Sequence, residues 1–190
     1  MAPLVAVLAA GLATRFGGGK LDAECAGKPL GSWVIETVKG AGLVPGVIIT
    51  GPTAPAFAAI ATGWELIANP DPAAGLGSSL ALAASHAHAA GRDLLVVLAD
   101  MPLIQPAHLC ALIDANGVSA TQHADGMLGV PAYFPLASLG PLLRAGGKRG
   151  AAHFLRQCQD LTIIEPARET LLDVDCREDL ATVRQILARH

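Results

Sequence analysis

Leu4-Val5-Ala6-Val7-Leu8-Ala9 is an unbroken apolar run that meets a glycine, Gly11, two residues after it ends. A run this short, closed by glycine, suits a strand buried on both faces. The pattern recurs along the chain. Ser32 to Ala41 places Val34, Ile35 and Val38 at helical spacing and is closed by Gly42, which reads as a helix with its stop signal. Val47 to Thr50 and Glu65 to Ala68 read as further strands, with a short helix from Ala54 to Ala61 between them. Ser78 to Ala90 is Ala-rich and helical, with serine placed as its cap. Leu94 to Ala99 is the strongest strand signal, and a helix from Pro106 to Ala115 follows it. Ser119 to Gln122 and Met127 to Tyr133 read as later strands or strand edges. Gly150 to Cys158, Leu161 to Ile164 and Arg177 to Ala188 complete the alternation. Strands buried on both faces and alternating with helices predict a mostly parallel sheet with helices on both faces. Such sheets bind ligands at the carboxyl ends of their strands, near a switch in strand order.

Composition sets the outer limits. Of 190 residues, 52% are hydrophobic, 15% are charged and only 4% are aromatic. Such a chain folds, and it builds its core from aliphatic side chains. No linker, charge block or internal repeat divides it, so residues 1–190 read as one domain. No apolar run has the length of a transmembrane helix, and Pro3 to Leu12 lacks both a basic leader and a cleavage site. That predicts a cytoplasmic protein. A net charge of −3 argues against nucleic acid and acidic membranes as partners. Cys25, Cys110, Cys158 and Cys176 form no C-x-x-C pair, which argues for ordinary thiols in a reduced compartment. His86 and His88 flank Ala87 on a predicted helix, where side chains two apart diverge, so they read as surface or groove residues.

The segment from Leu8 to Lys20, LAAGLATRFGGGK, carries the most chemistry. Small residues directly after a strand let backbone approach a ligand, and successive amide N–H groups can cradle an anion. Arg15 can fork onto phosphate oxygens, while Lys20 offers a compact charge. A Walker A loop would need glycine at Thr14 and Ser or Thr at Leu21. A dinucleotide fingerprint would need G-x-G, but Gly11 is followed by Leu12 and Ala13. The competing reading is a flexible turn with two solvated cations. Further along, Asp100 follows the best strand directly, so its carboxylate is expected at that strand's carboxyl end, where Mg²⁺ is commonly held by one or two carboxylates with phosphates and water. The alternative for Asp100 is a turn aspartate.

The loop resembles the L-A-A-G-x-x-x-R-x-G-x-x-K signature of the MobA-like nucleotidyltransferases, and especially their molybdenum cofactor cytidylyltransferase branch. Gly27-Lys28-Pro29-Leu30 looks like the family's segment after the loop. Asn69, with Gly75 through Leu80 (GLGSSL), is similar to the family stretch that lies near the nucleobase. Leu98-Ala99-Asp100-Met101-Pro102 is similar to L-G-D-M-P, and Asp173 through Leu180 is similar to D-I-D-T-P-E-D-L. The resemblance implies a three-layer, Rossmann-like fold of the kind found in nucleotide-diphospho-sugar transferases. It implies transfer of a nucleoside monophosphate to a phosphorylated acceptor, molybdopterin or the molybdenum cofactor, with release of pyrophosphate. A molybdoenzyme partner would follow. Attack of one anion on another requires charge neutralisation and in-line positioning, and needs no strong general base.

Residue roles follow from the same likeness. Arg15, Lys20 and Asp100 are expected to be catalytic. Ala9, Ala10 and Gly11 would present backbone to the base and ribose, with Asn69, Gly75, Ser78 and Ser79 completing the nucleotide site. Alanine at position 10, where the guanylyl branch carries glycine, implies CTP. Asp175 is the implied second Mg²⁺ ligand, with Asp173 as a competitor on the same face of an extended segment. Asp179 is expected to help the N-terminus of the last helix. The acceptor side departs from the family pattern. Gly129-Val130-Pro131 stands where a polar residue is usual at the centre, and Lys148 and Arg149 occupy a turn where a carboxylate is usual. Those two cations either grip the acceptor's phosphate or are solvated. A different acceptor, such as a sugar or alcohol phosphate, GTP in place of CTP, and a catalytically silent cofactor-binding homologue are the other readings.

Overall fold

The computed structural model describes residues 2–144, 151–167 and 170–189. Its elements run β1 (Leu4–Ala9), β2 (Glu24–Cys25), β3 (Lys28–Pro29), α1 (Ser32–Gly40), β4 (Val47–Thr50), α2 (Ala56–Ala59), β5 (Glu65–Ala68), α3 (Leu76–Ala89), β6 (Leu94–Leu98) and α4 (Pro106–Asp114). They continue with β7 (Val118–Gln122), β8 (Leu128–Phe134), α5 (Gly140–Leu143), α6 (Ala151–Leu155), β9 (Leu161–Ile164) and α7 (Arg177–Leu187). Seven strands form one sheet in the order β5-β4-β1-β6-β8-β7-β9, while β2 and β3 make a small separate hairpin. All neighbours in the main sheet pair in parallel except at β8, which runs antiparallel to both β6 and β7.

The period of two along β1 builds both faces of the core. Leu4, Ala6 and Leu8 point to one side, where they meet Leu80, Ala83, Ala84 and Ala87 of α3. Val5, Val7 and Ala9 point to the other, against Val34 and Val38 of α1, Phe57 of α2, and Leu109 and Leu112 of α4. Two helical layers therefore bury the central strands on both faces, as the unbroken apolar run of β1 requires, while the edge strands β5 and β9 stay partly open. A third, smaller cluster joins Phe16 of the glycine-rich loop to Cys25, Leu30, Val174, and Leu180 and Val183 of α7. That cluster matters for function, because it ties the loop to the C-terminal segment.

Met127 to Tyr133 is a strand, β8, which lies inside the sheet between β6 and β7. One expectation is corrected. Ser78 is not a helix cap: α3 starts earlier, at Leu76, and the cap position is Gly75 at φ 101, a conformation that favours glycine. The Ser78 hydroxyl instead donates to the Gly75 carbonyl at 2.8 Å. Asp179 does act at the start of α7, where its carboxylate accepts from the N–H of Cys176 at 2.8 Å and of Asp175 at 2.9 Å.

Candidate functional site

From β1 the chain moves to β4 and β5 on one side, then crosses back to β6 on the other. The switch in strand order therefore falls between β1 and β6, where the glycine-rich loop and Asp100 leave their strands. The loop is held at both ends. Phe16 is buried in the third cluster, and Lys20 opens a short 3-10 turn over Lys20–Asp22. Asp22 ends that turn by accepting from the N–H groups of Ala56 and Phe57 at 2.9 and 2.8 Å. Between the anchors, Gly17, Gly18 and Gly19 all have positive φ. The amides of Phe16, Gly17 and Gly18 converge on the Ala13 carbonyl at 3.1–3.2 Å, so these three N–H groups turn inward and do not form the open cradle expected from the glycines.

Four of the predicted residues form one ion-pair network. The Lys20 ammonium donates to Asp100 Oδ2 at 2.7 Å and to Asp175 Oδ1 at 3.4 Å. Arg15 donates to Asp175 Oδ2 at 2.8 Å. The C-terminal segment reaches this place because the Val174 N–H donates to the Asp100 carbonyl at 2.9 Å. Burial differs sharply across the network. Lys20 is 7% exposed, whereas the Arg15 and Asp175 side chains are 79% and 39% exposed. The Lys20 charge is therefore enclosed and paired, against the competing reading of a flexible turn with two solvated cations. Burial pushes the Asp100 carboxyl up from its usual range, the Lys20 ammonium opposes that shift, and Asp173 adds a smaller upward push.

Three clefts line the carboxyl ends of the strands. One, of about 360 Å³, is bounded by Ala10, Gly11, Gly75 and Ser79 with Asp100 at its side. A second, of about 450 Å³, shares Ala10 and Gly11 and adds Ala9, Lys20 and the Gly51–Pro55 segment after β4. The third, of about 850 Å³, lies past β7 and β9 and is lined by His123, Asp125, Glu165, Leu171, Leu172 and Asp173. Asp173 lines this third cleft, whereas Asp100 lines the first.

Asn69, Ser78 and Ser79 are adjacent but not equivalent. Asn69 is 1% exposed; its amide donates to Ser78 Oγ at 2.8 Å and Ser79 Oγ at 3.0 Å, while its Oδ1 accepts from the Asp71 N–H at 3.0 Å. It positions the serines from behind. Ser79 lines the first cleft, whereas Ser78 faces a different, shallow groove beside Pro70 and Ala81. His86 is partly buried and His88 exposed on α3. Lys148 and Arg149 lie outside the described residues. Of the third cleft the sequence reading picks out only Asp173, because the rest of its lining is brought together by β7, β9 and the approach to α7 and carries no local motif. Among the described residues no group of three or more His, Cys, Asp or Glu side chains is gathered as a metal cage. No helix among them is long and apolar enough to cross a membrane.

A glycine-rich loop, a buried lysine and paired carboxylates gathered at the switch point of a mostly parallel sheet define the class of protein. The chain belongs to the MobA-like NTP transferase domain family, whose model matches residues 5–162. Solved structures share the fold. Rv0371c from Mycobacterium tuberculosis H37Rv superposes with a TM-score of 0.81 at 23% identity, over 97% of this chain and 99% of that one, and it has also been solved in complex with manganese. A nucleotidyl transferase from Methanothermobacter thermautotroptrophicus gives 0.81 at 20% identity, over 99% and 98% of the two chains. Molybdopterin-guanine dinucleotide biosynthesis protein A from Archaeoglobus fulgidus gives 0.73 at 20% identity, over 98% and 99%. No curated protein sequence matches the chain.

Proposed function

We propose that this chain is a single-domain, cytoplasmic nucleotidyltransferase that transfers CMP from CTP to molybdopterin or the molybdenum cofactor, releasing pyrophosphate. The observation that carries the reading is the Lys20 ammonium bridging Asp100 and Asp175 beside the glycine-rich loop. An acceptor phosphate oxygen attacks the α-phosphorus, the new P–O bond forms, and the bond to the β-phosphate breaks.

Asp100 and Asp175 suit Mg²⁺. Both are oxygen donors within reach of a single ammonium, and a two-carboxylate set completed by phosphate oxygens and water is the usual Mg²⁺ arrangement. When bound, the ion would neutralise charge on the phosphates. The manganese complex of Rv0371c supports a divalent cation in this fold. Lys20 moves its charge from the carboxylates to the departing pyrophosphate, and Arg15, already at the rim, meets phosphate oxygens on the solvent side. Ala9, Ala10 and Gly11 lie along the nucleotide, Gly75 and Ser79 face it, and Asn69 with Ser78 holds that wall in place. Ala10 favours CTP by the family likeness given above. The third cleft takes the acceptor, with its acidic lining reading hydrogen-bond donors, and Lys148 and Arg149 meet the acceptor's phosphate. A molybdoenzyme then receives the product.

Incubation with CTP, Mg²⁺ and molybdopterin, followed by mass spectrometry, tests the reading. The expected product is a CMP adduct with one pyrophosphate released. A GMP adduct formed preferentially from GTP would overturn the cytidylyl assignment. No adduct with either nucleotide would overturn the acceptor.

A further inference from the structure

A carboxylate carried on irregular backbone aims only as well as that backbone is pinned. Asp175 stands on such a stretch, between the buried Val174 and the first turn of α7. Both of its oxygens are engaged nonetheless, Oδ1 with Lys20 at 3.4 Å and Oδ2 with Arg15 at 2.8 Å. On the N-terminal side the chain is held by the Val174 N–H, which donates to the Asp100 carbonyl at 2.9 Å. On the C-terminal side one atom holds it. Asp179 Oδ2 accepts from the N–H of Asp175 at 2.9 Å, the N–H of Cys176 at 2.8 Å and the Cys176 thiol at 3.0 Å. Cys176 is the cap position of α7 and Asp179 its third residue, so the bond to the Cys176 amide is the reciprocal bond that closes a helix start. The bond to Asp175 is different, because that amide lies outside the helix and no helical requirement accounts for it. Pinning it fixes the peptide plane from which the Asp175 side chain departs, and so the aim of its carboxylate. Asp179 is itself firmly set. Leu180 follows it directly and, with Val183, packs against Phe16 of the glycine-rich loop.

We propose that Asp179 is a positioning residue, whose bond to the Asp175 amide holds the Asp175 carboxylate where a divalent cation binds beside Asp100. This rests on the Mg²⁺ reading above and adds to it the group that aims the second ligand. Groups that orient a metal ligand from behind set affinity without touching the ion, and losing one typically weakens the metal about 10–100-fold. The helix that grips the glycine-rich loop therefore also aims the carboxylate that faces it.

Metal affinity separates this role from helix capping. Mn²⁺ is titrated into the protein with CTP, and water-proton relaxation distinguishes ion held by the protein from free Mn²⁺–CTP. Asp179→Ala should weaken Mn²⁺ about 10-fold. Asp179→Asn keeps an oxygen acceptor of the same reach and should stay within about threefold of wild type. Cys176→Ser/Asp179→Ala supplies a better cap side chain for α7 but leaves the Asp175 amide untethered. It should fold as Cys176→Ser does and still bind Mn²⁺ about 10-fold more weakly. In an Asp175→Asn background, Asp179→Ala should add less than about twofold, since the two act through one ligand. Wild-type Mn²⁺ affinity in Asp179→Ala, or its recovery in Cys176→Ser/Asp179→Ala, would overturn the proposal and leave Asp179 as a helix cap. The same 10-fold loss in the Asp175→Asn background would also overturn it, because Asp179 would then act elsewhere. Wild type that holds no Mn²⁺ with CTP or GTP would overturn the metal reading and this proposal with it, and that result shows before any substitution is made.

Discussion

The two halves of the sheet solve different problems. On the β5-β4-β1-β6 side every strand is parallel, and its loops gather Lys20, Asp100 and the small residues around Gly11 within two adjoining clefts. On the β8-β7-β9 side one strand is reversed, and the larger cleft is lined by His123, three carboxylates and two leucines from separate segments. The first half is built from close backbone approach and one enclosed ion pair. The second is built from side chains on exposed loops, which can change without disturbing the sheet. A fold arranged this way keeps one substrate constant and leaves the other open to change. The proposed nucleotide belongs with the first half and the acceptor with the second.

The sharpest test of that division is turnover. Lys20→Met keeps the aliphatic stem and removes the charge, so kcat should fall roughly 10²–10³-fold, the loss expected for one preorganised donor, while CTP affinity changes less. Asp100→Asn should show a comparable fall that excess Mn²⁺ partly restores, whereas Lys20→Met should not respond to metal. Steady-state rates over a metal titration check both. Near-wild-type turnover in either variant, with folding verified by circular dichroism, would break the comparison at its catalytic end.

The same residues set a contrast in stability. Lys20 and Asp100 form a pair with side chains 8% and 22% exposed, and removing one partner strands the other charge in the protein. Loss of a buried partner typically costs about 3–5 kcal/mol, and the partly open carboxylate places Lys20→Met at or below the lower end of that range. Arg15→Met breaks a pair that is largely in water and should cost about 0–1 kcal/mol. Urea unfolding of both variants without ligand checks the difference. Equal, small losses would mean that the Lys20 charge is solvated in solution.

Legibility in the sequence followed the same line between the halves. Leu4–Ala9 and Val47–Thr50 are legible to the residue because buried strands leave apolar runs, and Leu161–Ile164 matches its strand to the residue although β9 is only partly buried. Asp100, Arg15 and Lys20 stood out through fixed spacing from strand ends. The interior place of β8 was not readable, since strand order is a property of the whole sheet and Met127 to Tyr133 carries no mark of direction. Nor was the burial of Lys20, which depends on Asp175, 155 residues away. The glycine run signalled backbone freedom correctly, but which way its amides turn is decided by the Ala13 carbonyl. His123, Asp125 and Glu165 escaped notice because only the fold assembles them.

A milder effect should isolate the second half. Asp125→Asn combined with Glu165→Gln removes two charges from the third cleft while leaving similar shapes. Acceptor KM should change about 10-fold, with kcat at saturating acceptor and CTP affinity held within about twofold, the signature of lost uniform binding. A parallel Lys148→Ala/Arg149→Ala variant should raise acceptor KM in the same manner. Initial rates against acceptor at fixed CTP check both pairs. A change in CTP affinity instead would merge the two halves into one site.

The smallest expected effect is on pH-dependent stability, and it arises behind the acceptor half. His108 on α4 is buried, and its Nε2 lies 2.7 Å from Thr121 Oγ1 on β7. Thr121 donates its own proton to the Pro131 carbonyl at 2.7 Å, so its oxygen receives the proton on His108 Nε2. Burial, with a smaller contribution from His123, holds the His108 pKa below its ordinary 6.5. The sign follows from linkage. The unfolded chain takes up a proton near 6.5 while the native chain resists it, so this stabilisation is complete above 6.5 and is lost as pH falls through the lower native value. His108→Gln keeps an N–H donor for Thr121 but cannot titrate. At pH 7.5 it should unfold within about 1 kcal/mol of wild type, the usual net worth of one hydrogen bond. Between pH 7 and pH 5 its stability should fall less steeply than that of wild type, and turnover at pH 7.5 should stay within about twofold because His108 touches none of the three clefts. Denaturant midpoints at four pH values decide it. Parallel pH profiles for the two proteins would show that His108 titrates normally in the native state, and the α4–β7 contact would then be wetter than its burial implies.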